Sequence, residues 1–363
     1  MTESASVRPD AARRSRRTNP SRPVAVALSL VVSLVLAACG SATTTPTAAP
    51  SSPPPSPAAP SPSATSTPTP VPPFPASLTD DEGTVVTIPS EPARIVSLTP
   101  AVTETLFALG VGDRIVGKAQ DVLLYPPQAA AVPDVEKFDG NAIVVDAEKI
   151  VASKPDLVIA GGNFGTPTDA IQKLRSLGLT VLVVYAPHID TVFSDIELLG
   201  RAVGRTTQAQ AMTAHMRAVF SAVATAVASF PRPRVYYELD ASSGVFYGPA
   251  DQSFIAEMIG LAGGDPITTG SPDKYDITPE RLISANPEVI LLADAAYGVT
   301  APDVAKRPGW TTMSAVKDGG VRPIDDTTIS RPGPRLILGL ALLAATIHPE
   351  ATVPSPSPIT PVP

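Results

Sequence analysis

Cysteine, histidine and aromatic residues are scarce in this chain of 363 residues. It has one cysteine, Cys39, and one tryptophan, and 5% of its residues are aromatic. A single cysteine excludes an intramolecular disulfide, so the fold must be held by its own hydrophobic core, for which the length is ample. The three histidines, His188, His215 and His348, lack metal-ligand spacing, so we predict no metal site. The few aromatic side chains must serve both the core and any ligand site.

Sequence motifs of common enzymes are also missing. The chain has no G-x-S-x-G motif and no H-E-x-x-H motif. The glycines of Gly110–Gly117 lack the spacing of a dinucleotide-binding loop and follow a predicted helix rather than a strand. We therefore expect neither enzymatic activity nor a cofactor, and a hydrolase is kept only as a remote alternative.

The charge of the chain argues against a nucleic-acid partner. The full chain carries −7 and residues 1–38 carry +4, so the remainder carries −11. Nucleic acids are bound by basic surfaces, which this composition does not favour.

The first 38 residues are typical of an export signal. Four arginines between positions 13 and 17 precede the apolar run Val24–Leu36, which is short for a membrane-spanning helix. The small residues that follow, ending at Cys39, resemble the lipobox of bacterial lipoproteins. The resemblance implies cleavage before Cys39, lipid on that residue, and an extracytoplasmic protein anchored to the cell membrane. An ordinary secretory signal is the alternative.

Proline dominates the segment that follows. Residues 41–75 include thirteen prolines, with mostly Ser, Thr and Ala between them. Such a composition buries too little apolar surface to fold, so we predict that 39–87 is a tether carrying the anchor. The end of the chain, 351–363, has a similar composition and is predicted to be disordered.

One sequence pattern occurs twice, at Asp146–Ala160 and at Thr278–Leu292. In each copy a capping residue is followed two positions later by Glu148 or Glu280, and nine positions later by a proline. The pattern predicts an N-capped helix, a proline stop and a buried strand. We therefore predict an α/β fold of two similar lobes with mostly parallel sheets, and a ligand-binding cleft between the lobes.

A long helix is predicted between the two copies. Gln208–Phe230 contains no Gly or Pro and has apolar residues at helical spacing from Met212 to Val227. We expect this helix to be a rigid spine, which gives an N-terminal lobe over 88–206, a spine over 207–230 and a C-terminal lobe over 231–350. The protein is expected to be a monomer.

A second duplication involves two glutamates. Glu104 lies six residues before Gly110, and Glu257 lies six residues before Gly263, within similar segments. Each lobe is therefore expected to carry a glutamate about one turn into a corresponding helix.

Several local strings together resemble one protein family. They include RIVSLTPAVTETLFALG from Arg94, YPPQA from Tyr125, KPDLVIAGG, LGRAVGR, NPEVILL, RPGW and SRPGPR. With the anchor and two lobes, they resemble the cobalamin and iron-siderophore substrate-binding proteins of ABC importers, over about Arg94 to Glu350. YPPQA is most similar to the cobalamin-binding branch.

The resemblance implies a protein that binds a corrinoid and delivers it to an ABC permease. It places on cleft-facing loops Thr99, Pro100, Tyr125, Phe138, Asn163, Phe164, Tyr247, Trp310 and Arg331. Phe138 and Trp310 are equally well explained as core residues, Arg331 as a surface ion pair and Tyr125 as part of a proline turn. The resemblance also assigns permease docking to Glu104 and Glu257. A ferric siderophore or heme is the alternative ligand, and a ligand sensor of the same fold is a more remote alternative.

Overall fold

The computed structural model describes residues 73–359, except 141, 163, 164, 242 and 243. The predictions for the signal segment, for Cys39 and for the proline-rich part of the tether lie outside the described residues, as do those for Asn163 and Phe164. Within the described ranges, no helix has both the length and the apolar character needed to cross a bilayer.

A β-hairpin lies within the segment predicted to be tether. Strand β1 (Ala76–Thr79) pairs antiparallel with β2 (Val85–Ile88). Leu78, Val86 and Ile88 alternate with exposed neighbours and are buried in the main core. This alternation is the pattern of a half-buried strand, so the folded part begins before residue 88.

The N-terminal lobe contains a six-stranded sheet in the order β6-β5-β4-β3-β7-β8. All neighbours pair in parallel except β5 and β6. Its strands are β3 (Ile95–Ser97), β4 (Ile115–Ala119), β5 (Asp134–Phe138), β6 (Ile143–Val145), β7 (Leu157–Gly161) and β8 (Val181–Val184). Its helices are α1 (Pro100–Ala108), α2 (Ala147–Ala152), α3 (Thr168–Ser176) and α4 (Ile189–Ala202).

The predicted spine is helix α5 (Thr206–Val227), which links this lobe to a smaller one. The C-terminal lobe has a parallel sheet in the order β11-β9-β13-β14 and an antiparallel pair, β10 with β12. The strands are β9 (Arg234–Glu238), β10 (Phe246–Tyr247), β11 (Asp265–Pro266), β12 (Asp276–Ile277), β13 (Val289–Leu292) and β14 (Val321–Pro323). The helices are α6 (Phe254–Leu261), α7 (Pro279–Ala285), α8 (Ala301–Ala305), α9 (Ser314–Lys317) and α10 (Leu336–Ile347). The predicted two-lobed α/β architecture is therefore confirmed.

The duplicated pattern forms the same local structure in both lobes. Asp146 caps α2 by accepting a hydrogen bond from the Lys149 amide at 3.0 Å, and Thr278 caps α7 through the Arg281 amide at 3.3 Å. The buried strands β7 and β13 follow. Arg94 and Arg234 are also equivalent, because each guanidinium donates to backbone carbonyls at the C-terminal end of the duplicated helix in its own lobe, α2 or α7.

One hydrophobic core runs through both lobes. The buried side of α5, with Met212, Met216 and Phe220, packs between α4 of the first lobe and α6 and α10 of the second. The same core contains Ile159 from the first sheet and Tyr237 from the second. Each lobe has a further, separate core on the outer face of its sheet.

The structure orders part of the tail that was predicted to be disordered. Residues 351–359 form neither helix nor strand, and Ala351, Val353 and Ile359 pack against the main core. Ile359 lies beside Tyr125 and Arg335, next to the first residue of α10. Helix α10 is about 18 Å long and nine extended residues span about 28 Å, so the tail is long enough to run back along it. Apolar residues spaced along a proline-rich segment supply the contacts that its composition alone does not predict.

Candidate ligand-binding cleft

A cavity of about 350 Å³ lies between the two lobes. The N-terminal lobe contributes the carboxyl ends of three parallel strands, at Thr99 after β3, Gly161 in β7 and Tyr185 after β8. Ligands of open α/β sheets bind at such strand ends. The C-terminal lobe closes the cavity with Phe254, Tyr275, Ser330, Arg331 and Pro332.

The first wall of the cavity is built around the start of α1. Thr99 caps this helix by accepting a hydrogen bond from the Val102 amide at 3.1 Å, and Pro100 occupies the first helical position. A Cβ atom on Gly161 would lie 2.4 Å from Cγ2 of Thr99. Glycine is therefore required for β7 to pack against this cap, and the backbone of both segments borders the cavity.

A pair of carboxyl groups forms another part of the wall. Asp195 of α4 lines the cavity and hydrogen-bonds to Asp81, whose carboxylate accepts a bond from the Tyr185 amide at 2.5 Å. Burial, reinforced by the neighbouring charge of Asp81, raises the pKa of Asp195 to about 8. Burial also raises the pKa of Asp81. The pair therefore holds one proton at neutral pH and presents a neutral carboxylic acid to the cavity.

Two ion pairs connect the lobes at one edge of the cavity. Asp121 accepts two hydrogen bonds from Arg331, at 2.7 and 2.8 Å. Glu104 accepts from the Arg335 guanidinium at 2.8 Å and from its backbone amide at 3.1 Å. Burial raises the pKa of Glu104, although Arg335 opposes this effect. Both pairs join the first lobe to the segment that precedes α10.

Different contacts connect the lobes at α6. The Phe254 amide donates to the Pro187 carbonyl at 2.7 Å. Glu257 bonds to Nδ1 of His188 at 3.0 Å and accepts from the Ile189 amide at 2.8 Å, at the start of α4. The cavity is thus bordered by inter-lobe hydrogen bonds from two separate regions of the second lobe.

Sequence comparison identifies the family. The family model described as "Periplasmic binding protein" matches residues 95–328. The chain belongs to this family. This periplasmic binding protein is 32% identical over 282 residues to an uncharacterized ABC transporter substrate-binding lipoprotein, YvrC, of Bacillus subtilis, covering 76% of this chain and 87% of the relative. It is also 32% identical over 284 residues to a cobalamin-binding protein of Halobacterium salinarum, covering 76% and 74%.

Solved structures with the same fold include binders of different ligands. The periplasmic vitamin B12 binding protein BtuF of Vibrio cholerae matches with a TM-score of 0.61 and 27% identity, covering 71% of this chain and 97% of that one. An Fe3+-hydroxamate transport system structure from Saccharomonospora viridis matches with a TM-score of 0.62 and 25% identity, covering 75% and 99%. The fold is therefore shared by proteins whose ligands differ.

Of the seven predicted ligand-contact residues that the structure of this periplasmic binding protein describes, three line the cavity: Thr99, Pro100 and Arg331. Tyr125 lies instead against Arg335, whose Cζ atom is 3.8 Å from the centroid of the tyrosine ring. Burial raises the pKa of the Tyr125 hydroxyl. Tyr247 pairs with Asp276 in the β10–β12 ladder and does not border the cavity.

Trp310 and Phe138 lie away from the cavity, in opposite environments. Trp310 is 1% exposed in the outer core of the C-terminal lobe, with ring centroids of Phe246 at 4.9 Å and Tyr236 at 6.5 Å. Its prediction as a ligand contact is wrong, and the core explanation holds. Phe138 is 61% exposed at the end of β5, so it belongs neither to the core nor to this cavity.

Glu104 does not have the environment that a docking residue requires. The docking prediction assumes a carboxylate that faces outward, but Glu104 is 3% exposed and is held by Arg335. A residue 231 positions away supplies this partner, so no local pattern reveals it. Glu257 is half-exposed but also engaged, through His188.

Several residues that line the cavity were not predicted as ligand contacts, among them Asp195, Tyr185, Phe254 and Tyr275. Tyr185 directly follows β8, and a position at the carboxyl end of a buried apolar run is a sequence signal that could have identified it. Asp195 lies within the apolar pattern of α4, which marks it as inward-facing. Among the residues that the structure describes, no group of three or more His, Cys, Asp or Glu side chains is arranged to hold a metal ion.

Proposed function

We propose that this protein is a lipid-anchored, extracytoplasmic substrate-binding protein that captures a corrinoid between its lobes and delivers it to an ABC permease. The observation that supports this most is the inter-lobe cavity at the carboxyl ends of β3, β7 and β8, closed by Tyr275 and Arg331. One relative that is 32% identical over 76% of this chain is a cobalamin-binding protein.

The size of the cavity bears on how a corrinoid would enter. A volume of about 350 Å³ is near the lower limit of small-molecule sites, which range over about 300–1,000 Å³. A corrin macrocycle with its side chains needs more space, so the lobes must separate at the edge formed by Asp121 and Arg331. We expect this separation to be small, because helix α5 has no Gly or Pro at which to bend.

A ferric siderophore or heme is the second candidate ligand. Tyr185, Tyr275 and Arg331 are the kinds of side chain that face iron-bound oxygens or a heme in other proteins. Solved relatives of the same fold include a heme-binding protein, BhuT, in complex with two hemes, at 25% identity.

Native mass spectrometry of the full chain in detergent should distinguish these ligands. We expect cyanocobalamin to bind, with weaker binding of hemin and ferrichrome. Tyr275→Ala should weaken cobalamin binding by about 1–3 kcal/mol, because an aromatic contact at the cavity wall is lost. Tyr297→Ala is the matched control, since Tyr297 is 87% exposed and away from the cavity. Tight binding of ferrichrome or hemin, with no binding of cobalamin, would reject the corrinoid.

The anchor is tested by Cys39→Ser, which removes the only thiol of the chain. We expect the protein to leave the membrane fraction and its precursor to remain unprocessed at this site, because the lipid and the cleavage both depend on the thiol. Ligand binding should persist, since the cavity is lined by residues between Thr99 and Pro332. Membrane retention with unchanged processing would show that Cys39 is not the attachment site.

Docking to the permease requires an exposed carboxylate on each lobe. Glu148 and Glu280 meet this requirement, since both are exposed in the first turns of α2 and α7, the helices of the duplicated pattern. Equivalent positions in similar lobes suit a permease with near two-fold symmetry, where charge pairs fix register. We therefore propose Glu148 and Glu280, rather than the buried Glu104 with Glu257, as the docking pair.

Charge reversal separates the two assignments. Glu148→Lys with Glu280→Lys should lower uptake about tenfold or more while ligand affinity stays native, because only the docking surface changes. Asp169→Lys with Asp303→Lys is the control, as these residues are also exposed, one in each lobe, in the first turns of α3 and α8. The opposite pattern would support docking through Glu104 and Glu257. In that case the Glu148 and Glu280 variant takes up ligand normally, whereas Glu104→Lys with Glu257→Lys loses uptake and keeps native ligand affinity.

A further inference from the structure

The Asp121–Arg331 pair has the geometry of a bound ligand rather than of a surface ion pair. Both Nη atoms of Arg331 donate to the two oxygens of one carboxylate, at 2.7 and 2.8 Å. The side chain of Asp121 is 6% exposed and that of Arg331 is 16% exposed. This two-bond arrangement is how arginine binds carboxylate and phosphate groups of ligands.

Asp121 is held in place independently of Arg331. Its carboxylate also accepts hydrogen bonds from the amides of Leu123 at 3.0 Å and Tyr125 at 3.3 Å. Burial alone would raise the pKa of Asp121, but the hydrogen bonds from Arg331 and Leu123 keep it below its usual value. Asp121 therefore retains two amide donors when Arg331 moves away.

Arg331 lines the ligand cavity, whereas the arginine of the neighbouring inter-lobe pair does not. Arg335 is turned away from the cavity, between Glu104 and the ring of Tyr125. The two pairs bridge the same lobes, but only Arg331 is within reach of a molecule in the cavity.

On the basis of the function proposed above, we propose that Asp121 competes with the ligand for Arg331, and that the site selects ligands carrying a phosphate or carboxylate oxygen. When the lobes part, a ligand with such a group replaces Asp121 on Arg331. A ligand without one leaves this arginine unpaired in the cavity wall, which is costly for a desolvated charge. Asp121 thus tunes affinity without being required for it.

The test uses two corrinoids that differ in one relevant group. Cyanocobalamin has a phosphodiester, whereas dicyanocobinamide lacks the nucleotide loop and its phosphate. Affinities are measured by titration calorimetry on the full chain in detergent, for the native protein, Asp121→Asn, Arg331→Gln and the double variant. Glu104→Gln is the matched control because it weakens the other inter-lobe pair, outside the cavity. Thermal melting verifies that each variant is folded.

Three results are expected together. Asp121→Asn should raise cobalamin affinity about tenfold, in the range of one charge-assisted hydrogen bond. Arg331→Gln should lower the ratio of cobalamin to cobinamide affinity by a similar factor. In the Arg331→Gln background, Asp121→Asn should have no effect, because there is no longer a shared partner.

The proposal is overturned if the affinity ratio is insensitive to Arg331→Gln, or if Asp121→Asn leaves cobalamin affinity unchanged. It is also overturned if Glu104→Gln raises cobalamin affinity as much as Asp121→Asn, since that result means general loosening of the lobes. If the native chain binds neither corrinoid, the proposed ligand is wrong. The same test is then made with hemin, which has free carboxylates, and with hemin dimethyl ester, which has none. Failure to bind any of the four compounds overturns the Asp121 proposal as well.

Discussion

Trp310→Ala should lower the free energy of unfolding by about 3–5 kcal/mol, as for other buried aromatic residues replaced by alanine. Trp310 is 1% exposed and packs against Tyr236 and Phe246, with the Arg307 guanidinium 4.6 Å from its ring centroid. Alanine would leave a cavity in the outer core of the C-terminal lobe. Arg307 forms a two-bond pair with the fully buried Glu238, so the loss also weakens the packing around a buried charge pair.

Urea denaturation, followed by circular dichroism, measures this effect. Phe138→Ala serves as the control, because Phe138 is 61% exposed and its truncation should change stability by less than about 0.5 kcal/mol. Ligand affinity of the folded Trp310 variant should stay native, since Trp310 does not border the cavity. A stable variant that had lost its ligand would instead place Trp310 in the site.

The stability of the protein should fall between about pH 4 and pH 8, and Asp195 should account for part of this decrease. Its pKa rises from 3.8 to about 8 on folding, chiefly by burial and then by the charge of Asp81. Below pH 4 the carboxyl is protonated in both states. Between the two values only the unfolded chain loses the proton, so each pH unit costs about 1.4 kcal/mol of folding free energy. Glu136, whose burial raises its pKa to about 8, acts in the same direction.

Asp195→Asn should remove up to about 1.4 kcal/mol per pH unit from the slope of unfolding free energy against pH. Asparagine cannot ionise and can still donate a hydrogen bond to Asp81. Asp190→Asn on the same helix is the control, because its side chain is 89% exposed. The slopes come from urea denaturation at half-unit pH intervals. Equal slopes for the native protein and Asp195→Asn would mean that Asp195 is ionised in the folded state.

Local patterns predicted the elements of this fold well, because each depends on neighbours in the sequence. The caps at Asp146 and Thr278, and the long helix α5, all follow from residues within a few positions. The hairpin of β1 and β2 was missed because the predicted tether was extended from the proline-rich residues 41–75 to residue 87, and the packed tail was missed because its proline content outweighed its few apolar residues.

The site was predicted less completely, because its contacts join distant parts of the chain. The partners of Glu104 and Asp121 lie 231 and 210 positions away, and no periodicity encodes them. Trp310 follows a proline-glycine turn, where burial is not apparent from the sequence. Arg331 was placed in the cavity through family resemblance, and its pairing with Asp121 became visible only with both lobes in position.

One apolar core extends from the first sheet through α5 to the second sheet, and this continuity affects how the protein unfolds. Ile159 and Tyr237, one from each sheet, belong to the same apolar cluster. A lobe that lost its structure alone would expose the α5 surface on which the other lobe also depends. We therefore expect the two lobes to melt as one cooperative unit despite the cleft between them. A variant that damages either lobe lowers the melting temperature of the whole molecule, including the lobe that it leaves untouched.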